Sequence, residues 1–508
     1  KIYLMKTKTK SVKKNFFYNR FYQIFLLIVP IITTPYISRV LGSEKIGQYS
    51  FSYSIAYYFT LFASLGFSYY AQREIAKYKE DKEKQSTIFW EINIIRAIST
   101  LLAVVIYLGI IQIPYWQNYR TLLYILVLTI VAIGIDPSFI FQGNEDFKQI
   151  TIRSFIVKAL VVTGIFVFIK TRDDLWIYTL LNALNPILSA LIRVPFLKKY
   201  LVRIHRKDLK PLKHLVPCLK LFIPTIAVSI YTVLDKTRIG FLVQGETTKV
   251  VNGVTEIIRI ADIEEGYYEQ ANRISQMLVT IVTALGTVMI PRNTYYFAIH
   301  KEEKVKANVY TAIKFVYFLG LPRMFGLIAI ADNFGPWFFG DGYEKVPLLR
   351  KLFAPLVMLI GLSNVFGIQY LIPKGEDKKY TVSILIGAGI NLVRNAVLIH
   401  FYQSAGAVLA SLAAELSITI AQRFRVRKTF PPSKILAPIA KYFDAALIRF
   451  IPAYFLSEKL SSSITHTLLI VLISVVIYGG LRILFKDEFV WSFITKAKAK
   501  LNSKKKKA

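Results

Sequence analysis

The sequence predicts an all-α integral membrane protein of about fourteen transmembrane helices, and three observations predict it. Of its 508 residues 54% are apolar and the mean hydropathy is +0.44, more hydrophobic side chain than a soluble chain of this size can bury. Apolar runs such as Phe21 to Ile37 and Ile88 to Ile111 recur from end to end, and about twenty helical residues cross roughly 30 Å of hydrocarbon. The runs are too long for barrel strands and do not alternate. Finally, the 65 Lys and Arg that give the chain its formal charge of +34 lie mainly in alternate loops. That pattern is an orientation signal rather than the footprint of a nucleic-acid partner.

In chain order, spans are expected near 16–38, 48–70, 88–111, 121–142, 150–169 and 175–197, then near 217–244, 267–290, 309–331, 347–371, 380–402 and 404–423, with two more near 438–456 and 464–485. The basic link Lys198 to Lys213 separates the first six from the next six. The division reads as an N-terminal lobe (1–197), a linker (198–216) that would let the lobes rock, a second lobe (217–423), and two appended helices with a lysine-rich tail (424–508). With the N-terminus inside, the segments on its side hold roughly 40 Lys and Arg against roughly 10 opposite, which predicts cytoplasmic termini. No cleavable signal peptide is expected, because Arg39-Val40-Leu41-Gly42 and a second span follow the first apolar run; translation is expected to start at Met5. The longest expected external insertion is 245–266, rich in Glu and Asp. Cys218 is the one cysteine, which excludes a disulfide framework and a Cys-based metal site.

Ionisable and polar residues inside spans are informative, because lipid gives them no stabilising role of their own. Arg20, Gln23, Pro30, Thr34 and Ser38 share one face of the first span at 100° per residue. Ser50, Tyr53, Tyr57, Ser64 and Ser68 give the second a hydroxyl and aromatic face, suited to sugar rings or to close helix packing. The seventh span places Pro224, Tyr231, Asp235 and Arg238 on one face with Lys236 beside it, and the eighth carries Arg273, Gln276, Thr280 and Thr287. Arg238 and Arg273 are candidates to hold a diphosphate, since guanidinium donors match phosphate oxygens; alternatively Asp235 neutralises Arg238 one turn away, or the arginines snorkel to the interface. Arg394 with Asn391 and Asn395, and Glu91 with Arg96, form further polar patches, and Glu415 is an isolated carboxylate. Asp136 precedes Pro137 in the fourth span, a place for a proton or Na⁺, or for pairing with an arginine. No Gly-rich Lys-Ser/Thr phosphate loop is present, so ATP hydrolysis by that route is excluded. An ion gradient with H⁺ or Na⁺ coupling, the membrane potential or consumption of product would supply the energy, and no cofactor is expected.

The stretches Asn15-Phe-Phe-Tyr-Asn19, Pro30-Ile-Ile-Thr-Thr-Pro-Tyr-Ile-Ser-Arg-Val-Leu-Gly42, Ile46-Gly-Gln-Tyr-Ser50, Arg73-Glu-Ile-Ala-Lys77 and Phe141-Gln-Gly-Asn-Glu-Asp-Phe147 resemble the N-terminal signature of Wzx-type polysaccharide repeat-unit flippases. Leu234-Asp-Lys-Thr-Arg-Ile-Gly240, Gly266-Tyr-Tyr-Glu-Gln-Ala271 and Pro291-Arg292 extend the resemblance over most of the chain. It implies the multidrug/oligosaccharidyl-lipid/polysaccharide exporter superfamily, with two six-helix lobes around a cationic central cavity in a bacterial cytoplasmic membrane. It also implies transport of an undecaprenyl-diphosphate-linked oligosaccharide to the outer leaflet for capsule, exopolysaccharide or O-antigen assembly, with a polymerase and a chain-length regulator as candidate partners. The sequence departs from the family at Thr247 to Glu264, where the usual connection is shorter.

The expected mechanism is alternating access, with the diphosphate on Arg20, Arg238, Arg273 and Arg394, the sugars beside Tyr53 and Tyr57, and Asp136, Asp235 and Glu415 available for ion coupling or charge pairing. A cation-coupled drug exporter is disfavoured by the intramembrane excess of Arg and Lys. A membrane polymerase or glycosyltransferase is disfavoured because Asp173-Asp174, the one adjacent Asp pair in an expected external loop, reads as a solvated turn.

Overall fold

The computed structural model describes residues 9–205, 209–251, 254–491 and 495; for residues 9–21, most of 220–232 and positions 69, 251, 254, 287 and 288 the description is of backbone alone. The expected spans fall largely on helix, but breaks at 65–66, 136–137, 192–193, 284–285 and 354–355 interrupt five of them. The helices are α1 (Thr9–Ser64), α2 (Phe67–Lys77), α3 (Lys82–Ile110), α4 (Arg120–Ile135), α5 (Ser138–Gly143), α6 (Phe147–Phe168), α7 (Leu175–Leu191), α8 (Leu215–Leu242) and α9 (Ile260–Thr283). There follow α10 (Gly286–Ala298), α11 (Glu302–Ala329), α12 (Ala331–Phe339), α13 (Val346–Phe353), α14 (Leu356–Ser363), a π-helical stretch Asn364–Leu371, α15 (Asp377–Tyr402), α16 (Ser404–Val426), α17 (Pro432–Lys459) and α18 (Ile464–Leu484).

Among the described residues, ten helical segments are long and apolar enough to cross a membrane by length and composition. The first of them, Tyr22–Ser64, has 43 residues, or about 65 Å of helix, twice the hydrocarbon thickness. Its two expected spans are therefore continuous, joined at a break where Gly42 takes φ 78° and ψ 169°, a conformation that a side chain disfavours. Exposed Leu160, Val167, Leu468, Leu472, Val475 and Val476 show the outward apolar faces of α6 and α18, as expected where lipid is the solvent.

The chain forms two compact units. The first comprises residues 1–269 and 395–407. Here α1 packs on α3, α4, α6 and α8, and α4 on α7, around Phe51, Tyr107, Trp116, Tyr119, Leu123 and Ile130. A second cluster gathers Phe67, Tyr70, Phe89, Phe139, Phe141 and Tyr200. In lipid, apolar burial drives helix association weakly, so close approach and polar contacts decide which helices touch. The crossing of α1 and α9 shows this: a Cβ on Gly47 would lie 1.7 Å from the Asp262 carbonyl oxygen, and one on Gly266 would lie 1.9 Å from that of Ser43.

The second unit comprises residues 270–394 and 408–508. Its centre is α11, packed against α17, α14 and α10, with Val309, Ile313, Tyr317, Phe366, Tyr370 and Phe430 in the core. Pro322 lies inside α11 and cannot donate to the carbonyl one turn back, so Phe318 O is free to accept a bond. Tyr478 of α18 supplies it at 2.8 Å, and Arg449 of α17 donates to Pro322 O. The two last helices are thus fastened to α11 at its proline.

The all-α expectation needs one addition. Residues 245–266, expected as an acidic external loop, form a β-hairpin instead, of β1 (Glu246–Val251) paired antiparallel with β2 (Val254–Arg259), and then the first turns of α9. Asp262, Glu264 and Glu265 are buried rather than solvated.

Candidate functional site

The aromatic face expected on α1 exists as a ladder. Tyr49 and Tyr53 stack with ring centroids 5.9 Å apart, Tyr53 and Tyr57 lie 6.3 Å apart, and Tyr178 of α7 meets Tyr49 edge-on at 4.8 Å. Tyr53 is 38% exposed, so one rung offers its surface. On the same helix Ser50 donates to Glu269 (3.4 Å), and Lys236 of α8 forms an ion pair with that carboxylate. Ser54 and Tyr58 meet Thr237 of α8 at 3.1 and 3.2 Å. Hydroxyl, aromatic and charged groups of α1, α8 and α9 are therefore interleaved, an arrangement that can hydrogen-bond and stack on sugars.

Asp235 is buried. Its Oδ2 accepts from the Tyr268 hydroxyl (2.7 Å) and its Oδ1 from Asn395 Nδ2 (2.6 Å), so two donors from α9 and α15 hold this carboxylate. Arg238 is half-buried on α8, within the first unit.

Asp136 ends α4, where its carboxylate accepts from Ser138 N (3.1 Å) and Ser138 Oγ (2.7 Å) and pairs with Arg193 (2.7 Å). The other arm of Arg193 donates to Ser154 at 2.6 Å. Charge pairing, one of the two roles weighed for Asp136, is what the geometry displays. Arg96 donates to the Asp136 carbonyl at 2.9 Å and to Ile133 O, carbonyls that Pro137 and the helix break leave without helical partners.

Glu91 does not share a patch with Arg96. Fully buried, it accepts from His214 Nε2 (2.8 Å), Lys210 N (2.8 Å) and Lys213 Nζ (2.7 Å), while Tyr70 OH meets His214 Nδ1 at 2.7 Å. The basic linker is tied down at its other end too, by Tyr200 and Lys199 on Asp146 (2.6 and 3.0 Å) and by Val202 N on Ser86 (2.8 Å). At the base of the hairpin Arg259 donates to Tyr119 (2.5 Å) and Gly240 O (2.9 Å), and Asp262 accepts from Tyr119 (2.5 Å) and Gln48 (3.1 Å). These anchors were missed in the sequence, where Arg193, Arg259 and His214 stand near helix ends and resemble topology charges.

On α15 Arg394 is exposed while Asn391 and Asn395 are buried, so the expected polar patch is split between two faces of the helix. Asn391 donates to Ser411 at 3.3 Å. Glu415 is buried on α16 and Arg273 half-buried on α9. Arg20 lies on α1, outside the residues whose side chains are described, as do Pro224, Tyr231 and Thr287. Asp174 accepts from the Lys170 and Thr171 amides at 2.8 and 2.7 Å, the geometry of a turn cap. Among the described residues, no group of three or more His, Cys, Asp or Glu could hold a metal ion.

Comparison with known proteins decides the family, because the model described as "Polysaccharide biosynthesis protein" matches residues 12–296. The chain belongs to the polysaccharide biosynthesis protein family. A second model of the same description matches residues 258–347 of this family member. The "Putative O-antigen transporter" of Escherichia coli (strain K12) is 24% identical over 82% of the chain and 96% of its own length. A protein of the same description from Shigella dysenteriae is 22% identical over 77% of the chain and 94% of its own length. Among solved structures, the lipid II flippase MurJ in an inward closed conformation superposes with a TM-score of 0.65 at 15% identity, covering 92% of this chain and 98% of that one. The family member therefore shares that flippase's fold.

Proposed function

We propose that the protein is a flippase that carries undecaprenyl-diphosphate-linked oligosaccharide units from the cytoplasmic to the outer leaflet for assembly of a surface polysaccharide. The observation that carries this reading is similarity along almost the whole of an O-antigen transporter, 96% of its length, together with a fold shared with a lipid II flippase. The first is described as a transporter of O-antigen and the second as a flippase of lipid II.

The chemistry of α1, α8 and α9 supports it. Tyr53 and Tyr57 offer stacking surfaces, while Arg238 and Arg273, with Arg20 and Arg394, supply guanidinium donors for the diphosphate, whose desolvation without cationic partners would cost many kcal/mol. Asp235 and Glu415 are the proposed coupling carboxylates, for H⁺ or Na⁺. Fourteen crossings arranged as six, six and two, cytoplasmic termini and an alternating-access cycle complete the proposal; the loop charge asymmetry supports the orientation.

The test is reconstitution. Purified protein in sealed liposomes should move the headgroup of a labelled undecaprenyl-diphosphate oligosaccharide between leaflets without ATP, and the paired change Arg238→Ala with Arg273→Ala should abolish it. Transfer of sugar between lipid-linked molecules, without leaflet exchange, would overturn the proposal in favour of a polymerase.

A further inference from the structure

Within the second unit, a cavity of about 460 Å³ opens between α11, α14, α16 and α17. Its wall is apolar, with Leu362, Phe366, Ile420, Ile435, Leu436 and Ile439, and its one charged edge is made by Arg423 and Arg427. A second groove of about 380 Å³ adjoins it across Phe424 and Arg427 and adds Arg425. No Asp or Glu lines either space. Arg423 Nη1 is buried and has no hydrogen-bond partner among the described residues, an arrangement that costs about 1–3 kcal/mol or more for a charged group unless something accepts from it. The start of α17, where Pro432 borders the cavity, has neither a capping side chain nor an acidic residue in its first turn, so no carboxylate there offsets the arginines. Leu436 and Phe424 are 57% and 60% exposed, which leaves the space open to the side.

We propose that this cavity binds a bilayer glycerophospholipid with an anionic headgroup, its phosphate on Arg423 and Arg427 and one acyl chain along the apolar wall. The combination decides the class of ligand. A soluble phosphate has no use for a wall of Leu, Ile and Phe, a lipid without a phosphate would leave the guanidinium without an acceptor, and the cation of a zwitterionic headgroup would be repelled by an edge that holds Arg423, Arg425 and Arg427 and no carboxylate. A basic pocket between helices at the end of a membrane span is where an anionic lipid finds both of its requirements together. The volume is that of an ordinary ligand site. The proposal is independent of the transported substrate, since it concerns a lipid held at the end of α16.

The test uses the full-length protein in a neutral detergent, titrated with phosphatidylglycerol, phosphatidylcholine or undecaprenyl phosphate. The thermal midpoint and the lipid retained in native mass spectrometry are the two readouts. Phosphatidylglycerol should raise the midpoint and stay bound, phosphatidylcholine should do neither, and Arg423→Gln with Arg427→Gln should weaken binding by about tenfold or more. If that pair does not yield a monodisperse protein, Ile439→Trp, which fills the apolar wall and spares both arginines, should weaken binding as well. An unchanged response in the variants, or an equal response to phosphatidylcholine, overturns the proposal. Binding of undecaprenyl phosphate in preference to phosphatidylglycerol also overturns it and assigns the cavity to the carrier lipid.

Discussion

Asn395 donates from Nδ2 to Oδ1 of Asp235 across 2.6 Å, joining α15 to α8 through a buried carboxylate. Because Tyr268 occupies the other oxygen, Asp235→Ala leaves two donors without an acceptor, a loss of about 1 kcal/mol of stability by the measure of membrane hydrogen bonds. Asp235→Asn keeps an acceptor oxygen and should retain the fold. If Asp235 couples transport, both variants lose leaflet exchange in liposomes, and only the alanine lowers the thermal midpoint. Full transport by the asparagine variant would remove Asp235 from the coupling role.

The contrast between Asp235 and Glu91 marks what the sequence reveals. An ionisable residue in an apolar run needs a reason, so Asp235 stood out by itself; its partners Tyr268 and Asn395 lie 33 and 160 residues away, and no local pattern announces them. Glu91 was grouped with Arg96 for proximity in sequence. Five helical residues turn through about 140°, so the two side chains leave α3 on different faces. Span positions were legible because hydrocarbon thickness imposes a length on them. The hairpin was not, although Asn252-Gly253 between the β-branched runs is a hairpin signal at sequence level.

The Arg193–Asp136 pair permits a test by charge balance. Arg193→Gln leaves the Asp136 carboxylate without its cation and should lower the thermal midpoint, and adding Asp136→Asn should restore part of the loss. Transport that recovers in the double variant would assign the pair a structural role. Transport lost in every variant containing Asp136→Asn would assign that carboxylate to ion coupling.

Close approach of α1 and α9 makes Gly47 and Gly266 intolerant of any side chain, since the added atom would meet backbone rather than a flexible group. Gly266→Val should eliminate monodisperse protein in detergent, whereas Gly389→Ala, at a position with open space around it, should leave the yield unchanged. Equal yields would contradict the α1–α9 crossing.

The linker clamp at Asp146 carries a pH signature. Burial works to raise this carboxyl, but the Tyr200 hydroxyl and Lys199 overcome it and hold its pKa below the ordinary carboxylate value. A lowered folded-state pKa contributes stability that is present above the unfolded-state value, about 3.9 for Asp, and is lost as pH falls through the folded-state value. Asp146→Asn should therefore lower the thermal midpoint at pH 7, with the difference from the parent shrinking below about pH 4. A difference that stays constant across that range would show that Asp146 acts through neutral hydrogen bonding alone.

Flippase activity is tested most directly by deleting the gene in its host and locating the undecaprenyl-diphosphate oligosaccharide with a membrane-impermeant glycosidase, applied to intact and to opened cells. The account predicts complete repeat units on the cytoplasmic face, cleaved only after the cells are opened. Single units cleaved in intact cells would contradict it.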